Sequence, residues 1–498
     1  MCVMHIDRLG SGDLVESPTS STRSGAIVFV LAFAGIVASL MQSLVVPLIG
    51  ELPHLLDTTA SDASWAVTAT LLAAAVATPV TGRLGDLYGK RRMLLVCSVP
   101  LIAGSVVCAL AGSLLPMIVG RGLQGIGAGM IPIGISMLRD VLPPERLGSA
   151  IALISASMGI GAALGLPIAA VVAENANWRA LFWGAAALSV AVAALIRFKL
   201  PVVAPQAVGR FDRIGAIGLG IGLVCLLLAV SKGAVWGWGS GLTLGLFAAA
   251  VIVLLIWGWW ELRTRDPLVN LRVTARKQVL LTNLASVILG FSMYAQALIL
   301  PQLLQLSGAT GYGLGQSMLA MGLWMAPSGL MMMALSPLGA RLSTARGPKV
   351  TLVVGALVMA LGYGSSAVLM GSTWGVMAIS CICNVGLGLA YGAMPALIMG
   401  AVPPSETGSA NSFNTLMRSI GTAVSAAVVG VILSQMTTDF GGRALPSEAG
   451  FRTGMLIGCA VALIAAAIAA TIPGQGRPER EPAAVSTTPA EPSVASTG

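Results

Sequence analysis

Charge is scarce in this chain. Asp, Glu, Lys and Arg make up 9% of its 498 residues, against about 25% in a typical soluble domain. With 56% apolar residues there is too little polar surface for water, so most of the chain must face lipid. Histidine is nearly missing: His5 and His54 both lie outside the apolar runs, which leaves no histidine-based catalytic or proton-relay centre. The seven cysteines form no disulfide framework. All but Cys2 sit inside apolar runs, as small buried hydrophobes do. Cys381 and Cys383 are too close together, and too far from other ligands, for a metal site. No nucleotide loop or nucleophile–base pair is visible, so an enzyme is remote and no cofactor is expected. Carboxylates inside the membrane are also lacking: none of the 19 Asp/Glu falls deep in a span.

The net charge of +9 does not signal nucleic-acid binding. Arg179, Lys232, Arg443 and Arg452 fall on one expected side of the membrane, and Arg121 and Arg418 within spans. The other Lys and Arg gather on the opposite side, as the positive-inside rule predicts for a multi-pass plasma-membrane protein. The first apolar run is too long for a cleaved leader and reads as a signal anchor with a cytoplasmic N-terminus. Fourteen runs approach the ~20 residues needed to cross a bilayer, so both termini are expected inside. The expected helices are 25–50, 63–82, 93–113, 115–138, 147–172, 178–198, 214–235, 241–260, 279–305, 314–337, 349–370, 375–400, 407–434 and 453–472. Segment 261–277 is amphipathic and basic and reads as a helix lying on the inner surface. Residues 1–23 and 473–498 read as disordered cytoplasmic tails.

An internal repeat organises these runs. Leu142-Pro143-Pro144-Glu145-Arg146-Leu147-Gly148-Ser149-Ala150 returns as Val402-Pro403-Pro404-Ser405-Glu406-Thr407-Gly408-Ser409-Ala410. Arg83 to Gly89 is echoed at nearly the same separation by Arg341 to Gly347, without the Asp. The expected fold is therefore an all-α membrane protein with two pseudo-symmetric six-helix bundles, residues 24–199 and 278–472. Segment 200–277 carries an inserted helix pair. Where a membrane protein with such internal repeats is a transporter, its cargo binds between the halves, near the bilayer midplane.

Between the second and third runs lies Gly82-Arg83-Leu84-Gly85-Asp86-Leu87-Tyr88-Gly89-Lys90-Arg91-Arg92, a short basic connection with one carboxylate and three glycines. Asp86 is suited to bridge to a neighbouring helix end or an arginine. Gly82, Gly85, Asp86, Gly89, Lys90 and Arg91 resemble, in register, the helix-2/helix-3 loop of the major facilitator superfamily, and Arg83 belongs to the same gating loop. Arg121-Gly122-Leu123-Gln124-Gly125-Ile126-Gly127 resembles the helix-4 motif of proton-driven antiporters in that superfamily. That resemblance ties Arg121 to proton movement; the plain alternative is an arginine snorkelling to the outer interface. Gly159, Gly161, Gly165 and Pro167 resemble the helix-5 motif of exporters, worn down at Ala169 and Ala170. Fourteen helices with these motifs resemble the second drug:proton antiporter family. Members of that family often carry an Asp in helix 1 where this chain has Met41.

With no mid-membrane acid, three routes for coupling stay open. Glu51 carries the proton at the outer end of helix 1, Arg121 modulates a water-borne path, or coupling is poor and membrane potential drives a cationic cargo. For the cavity, Gln42, Gln124, Tyr294, Gln296, Asn384 and Tyr391 offer polar contacts, and Met321, Trp324 and Met325 a soft apolar face. A methionine stripe also serves as plain core. Asn411, Asn414 and Arg418 share one helix stripe, which marks a hydrated cavity or helix–helix hydrogen bonding. The expected function is proton-coupled efflux of amphipathic drugs or a secondary metabolite by alternating access. The partners are a small amphipathic substrate, protons and the lipid bilayer, and the protein is expected to be monomeric. The alternative is an importer of a small metabolite on the same fold.

Overall fold

An apolar segment in a bilayer satisfies its backbone only as a helix or a closed barrel. The computed structural model follows the first course and describes residues 18–45, 48, 52–440 and 443–473. Among these, fourteen helices are long and apolar enough to cross a membrane. The first six are α1 (Pro18–Ser43), α2 (Trp65–Tyr88), α3 (Lys90–Leu110), α4 (Leu114–Val141), α5 (Pro144–Asn175) and α6 (Arg179–Lys199). The pair α7 (Arg213–Trp236) and α8 (Gly241–Arg263) follows. The last six are α9 (Lys277–Gln305), α10 (Met318–Arg346), α11 (Pro348–Leu369), α12 (Thr373–Met399), α13 (Thr407–Gln435) and α14 (Glu448–Ala470).

Each set of six builds its own core. One gathers Leu94, Met117, Ile133 and Phe182; the other gathers Leu300, Leu352, Tyr363 and Phe451. The repeat read from the sequence recurs in the backbone. Gly89 (φ 96°) turns α2 into α3 and Gly347 (φ 89°) turns α10 into α11, both in a region that favours glycine. Pro143 and Pro403 precede α5 and α13 with nearly the same extended conformation. The halves meet along two seams, α2 against α13 and α5 against α10 and α12. Helix α7 lies over the first seam and touches both α2 and α13, whereas among the long helices α8 packs on α7.

Several expectations need correction. The ten-residue basic loop is a single residue: α2 runs through Asp86 to Tyr88, Gly89 turns, and α3 starts at Lys90. Helix α1 begins at Pro18, inside the tail expected to be disordered, and ends at Ser43 rather than near 50. Residues 1–17, Glu51 and 474–498 lie outside the described residues. No surface helix fills 261–277. Pro267 disfavours helix before it, only Leu271–Thr274 makes one turn, and Leu268, Val269 and Val273 are buried against the protein. Helix α4 passes through a 3-10 turn at Gly127–Gly129, and α10 breaks at Leu335, where Pro337 cannot continue the ladder. A hairpin, β1 (Thr437–Phe440) with β2 (Arg443–Pro446), joins α13 to α14 with Thr437 opposite Pro446.

Candidate functional site

A cavity of about 310 Å³ lies between the halves. Its wall is drawn from α1, α2, α4 and α5 on one side and α9, α10 and α12 on the other. Apolar groups such as Val67, Leu71, Met158, Leu166, Met325 and Met332 make up most of that wall. Gln42, Thr70, Arg121, Tyr294, Gln296, Asn384 and Tyr391 add polar points. Buried Gln296 leaves its Oε1 without a hydrogen-bond partner, so the wall holds a ready acceptor.

Not every expected residue reaches this space. Met321 is packed in the second core, as a plain core methionine is. Trp324 donates to Gln316 Oε1 (3.1 Å) and stacks edge-on against Trp374 (4.9 Å). Asn414 donates to Asn283 and Ser286 of α9, a helix–helix tie, and Asn411 donates to the Thr407 carbonyl. Arg418 lies in a narrow crevice below the cavity, its guanidinium 4.5 Å from the Tyr391 ring. Tyr391 and Met158 line both spaces. Ser39, Thr70 and Ser328 also line the cavity and escape a reading of the sequence. Thr70 and Ser328 return a hydrogen bond to their own helices and Ser39 donates to the Met158 carbonyl of α5, and a single hydroxyl of either kind leaves no mark in an apolar run.

Arg121 is 1% exposed and lines the cavity. A mid-bilayer arginine costs roughly 2.5–3.5 kcal/mol on insertion scales, so its partners matter. Its Nη1 donates to the Met41 carbonyl (2.9 Å) and Gln124 Oε1 (2.6 Å), and its Nε to the Ala66 carbonyl (3.4 Å). Gln124 is fixed in turn by donating to Ser105 Oγ (2.9 Å), so it braces Arg121 rather than lining the main cavity. The guanidinium thus bonds the backbone at Met41, the position where the resembling family has its helix-1 Asp.

The end of the molecule carrying Gly89 is closed across the first seam. Buried Asp86 accepts from the Gly408 and Ser409 amides (2.9 and 2.8 Å) at the N-terminus of α13, where the helix dipole favours an anion. Lys90 pairs with Asp140 (2.7 Å) and donates to the Ser136 carbonyl and to Thr407 Oγ1 across the seam. Arg139 donates to the Val402 carbonyl (3.2 Å). Gly82 abuts Ser412 and Gly408, and Gly85 abuts Ile133. Arg83 is buried with its Nε unpartnered, and Arg91 donates to the Ile196 and Arg197 carbonyls at the end of α6. On α5, Gly161 meets the Ile36 carbonyl and Gly165 the Ser43 hydroxyl, while Pro167 meets Gly322 of α10. The helix-5 motif therefore packs α5 on α1 and, through Pro167, on the other half.

The sequence profile of the Major Facilitator Superfamily matches residues 31–426. The chain belongs to that superfamily. This major facilitator is 26% identical over 415 residues to the multidrug transporter protein MdtP of Bacillus subtilis, covering 82% of this chain and 74% of that one. It is 28% identical over 438 residues to the tetracenomycin C resistance and export protein of Streptomyces glaucescens, covering 86% and 79%. An uncharacterized MFS-type transporter of Mycobacterium tuberculosis is 27% identical over 439 residues, and there the match spans 86% of this chain but only 62% of the relative. The fold is shared with the human organic anion transporter MFSD10 (TM-score 0.63, 16% identity, covering 90% and 99%) and the proton:xylose symporter XylE (0.62, 12%, covering 91% and 97%). It is a multi-pass membrane protein, and the fourteen candidate spans among its described residues accord with the drug:proton antiporter resemblance.

Proposed function

We propose that this major facilitator exports an amphipathic compound, a drug or a secondary metabolite, by alternating access powered by the proton-motive force. The observation that carries the reading is the pairing of a mostly apolar cavity between the halves with a polar seal at the Gly89 end. The Lys and Arg excess on that end supports a cytoplasmic Gly89 face and cytoplasmic termini. Opening the seal exposes the cavity inward; closing it, as here, leaves the remote end for release. The names of the Bacillus and Streptomyces relatives support export.

Arg121 is proposed as the residue tied to proton movement, because it reaches the cavity while the groups that hold it are neutral acceptors. The test uses everted membrane vesicles energised by respiration. Accumulation of a fluorescent amphiphile is expected, and a protonophore collapses it. Uptake indifferent to the protonophore overturns the energy source. Arg121→Ala is expected to abolish accumulation while the protein stays in the membrane at normal abundance.

A further inference from the structure

The path through the molecule has an electrical sign. Arg121 stands in the cavity wall, and Arg418 lines the neighbouring crevice, which shares Tyr391 with it. Among the described residues, no Asp or Glu lines either space. The acceptors that hold Arg121 are two carbonyls and an amide oxygen, none of which cancels its charge, and its Nη2 makes no hydrogen bond among the described residues. The Arg418 guanidinium has the Tyr391 ring as its neighbour and makes no hydrogen bond or ion pair among the described residues. Two cations without counter-charges among the described residues therefore border two spaces that share Tyr391 and Met158 in their walls.

We propose that the cargo is an amphipathic anion, a carboxylate, sulfonate or phenolate on an apolar ring system, and that Arg418 and Arg121 are its successive counter-charges. This rests on the export reading above. Tyr391 lines both the cavity that Arg121 borders and the crevice that Arg418 borders. The crevice around Arg418 is walled by Pro132, Ile135, Ser155 and Asn411 from both halves, next to the seam that closes the Gly89 end. When that seam opens, Arg418 heads the inward space. When it closes, the outward cavity keeps Arg121. A cation on this route meets two like charges and no acid, which low dielectric makes costly.

The same sign supplies a driving force. An inside-negative potential draws cations in and pushes anions out, so a potential-driven cationic cargo suits import, not export. For a monoanion, 100 mV sustains about a fiftyfold outward gradient. Export of an anion thus proceeds without a carboxylate in the cavity wall.

Three dyes with one ring system and different charge test this: dansylglycine (anion), dansylamide (neutral) and dansylcadaverine (cation). Binding to the purified full chain is read by energy transfer from tryptophan. Dansylglycine is expected to bind about tenfold or more tighter than dansylcadaverine. In Arg418→Gln the dansylglycine-to-dansylamide affinity ratio is expected to fall toward one. Equal or tighter binding of the cation, or a ratio unmoved in Arg418→Gln, overturns the proposal. A second measurement needs no variant: in proteoliposomes of the natural chain, a lumen-negative potassium diffusion potential is expected to speed dansylglycine efflux, and the reversed potential to stop it. Efflux blind to the potential overturns the charge assignment. If dansylamide and dansylcadaverine move and dansylglycine does not, only the charge assignment fails. If none of the three binds or moves, the amphiphile-export reading fails with it.

Discussion

The two seams between the halves are built from repeated sequence, yet only one carries a charged tie at the Gly89 end among the described residues. On the α2–α13 side, Asp86 is 2% exposed and grips the Gly408 and Ser409 amides. On the α10–α5 side, the residue in the Asp86 position is Thr344, which is exposed and donates to the Arg341 carbonyl of its own helix. The counterpart of Gly408 is Gly148, and nothing lies within 4 Å of a Cβ built there. Both sides keep the glycine turn and the proline-led helix start, so the backbone repeat survives while the chemistry has diverged. On the α2–α13 side the Asp86–helix contact is joined by the Lys90–Thr407 and Arg139–Val402 hydrogen bonds. The asymmetry singles out Asp86 as the residue to test for how long the Gly89 end stays shut.

The largest expected effect contrasts the paired glycines. A Cβ at Gly408 meets Asp86 Oδ1 at 2.5 Å and the Gly82 carbonyl at 2.8 Å. Gly408→Ala is expected to abolish vesicle transport through loss of the seal, while Gly148→Ala transports normally. Equal rates in the two variants remove the claim that one seam alone is locked. Next comes Asp86→Asn. Losing charge-assisted bonds to two amides costs about 2 kcal/mol. That shifts the closed-to-open ratio by about thirtyfold, and spin-label distances across α2 and α13 are expected to show a new, longer population. An unchanged distance distribution refutes the role of Asp86. Gly89→Ala and Gly347→Ala, both forced into positive φ, are each expected to lose about 1–2 kcal/mol of thermal stability by similar amounts. A large difference between them breaks the backbone half of the comparison. The smallest effect is that of Thr344→Asp. An acid introduced at this exposed position is expected to favour closure by less than about 1 kcal/mol, read as a slight narrowing of spin-label distances across α10 and α5.

Most of the architecture is legible in the sequence because the bilayer imposes it. Span length and the repeats at Gly89/Gly347 and Pro143/Pro403 follow from lipid thickness and from turns that need glycine or proline. Helix ends are less legible: polar residues at 82–92 read as a loop, but a helix that emerges from lipid keeps its hydrogen bonds, and only Gly89 has to leave it. The β1–β2 hairpin escapes a reading of the sequence because its strands are four residues long and show no alternation to detect. In the cavity, Arg121, Gln42, Tyr294, Gln296, Asn384 and Met325 stand out as large or polar residues in apolar helices and do line the wall. Met321 and Trp324 sit on the same α10 segment, but their contacts turn away from the cavity, a distinction of tertiary packing that spacing along one helix does not carry.

Helix α7 lies across the α2–α13 groove with Leu219, Leu223 and Leu227 buried against it, and α8 shields α7 in turn. A solute dissolved in the acyl chains on that flank meets two extra helices before it reaches the joint between the bundles. Lateral entry from the membrane, a natural route for greasy molecules, is therefore walled off on one flank, and any such doorway is confined to the other.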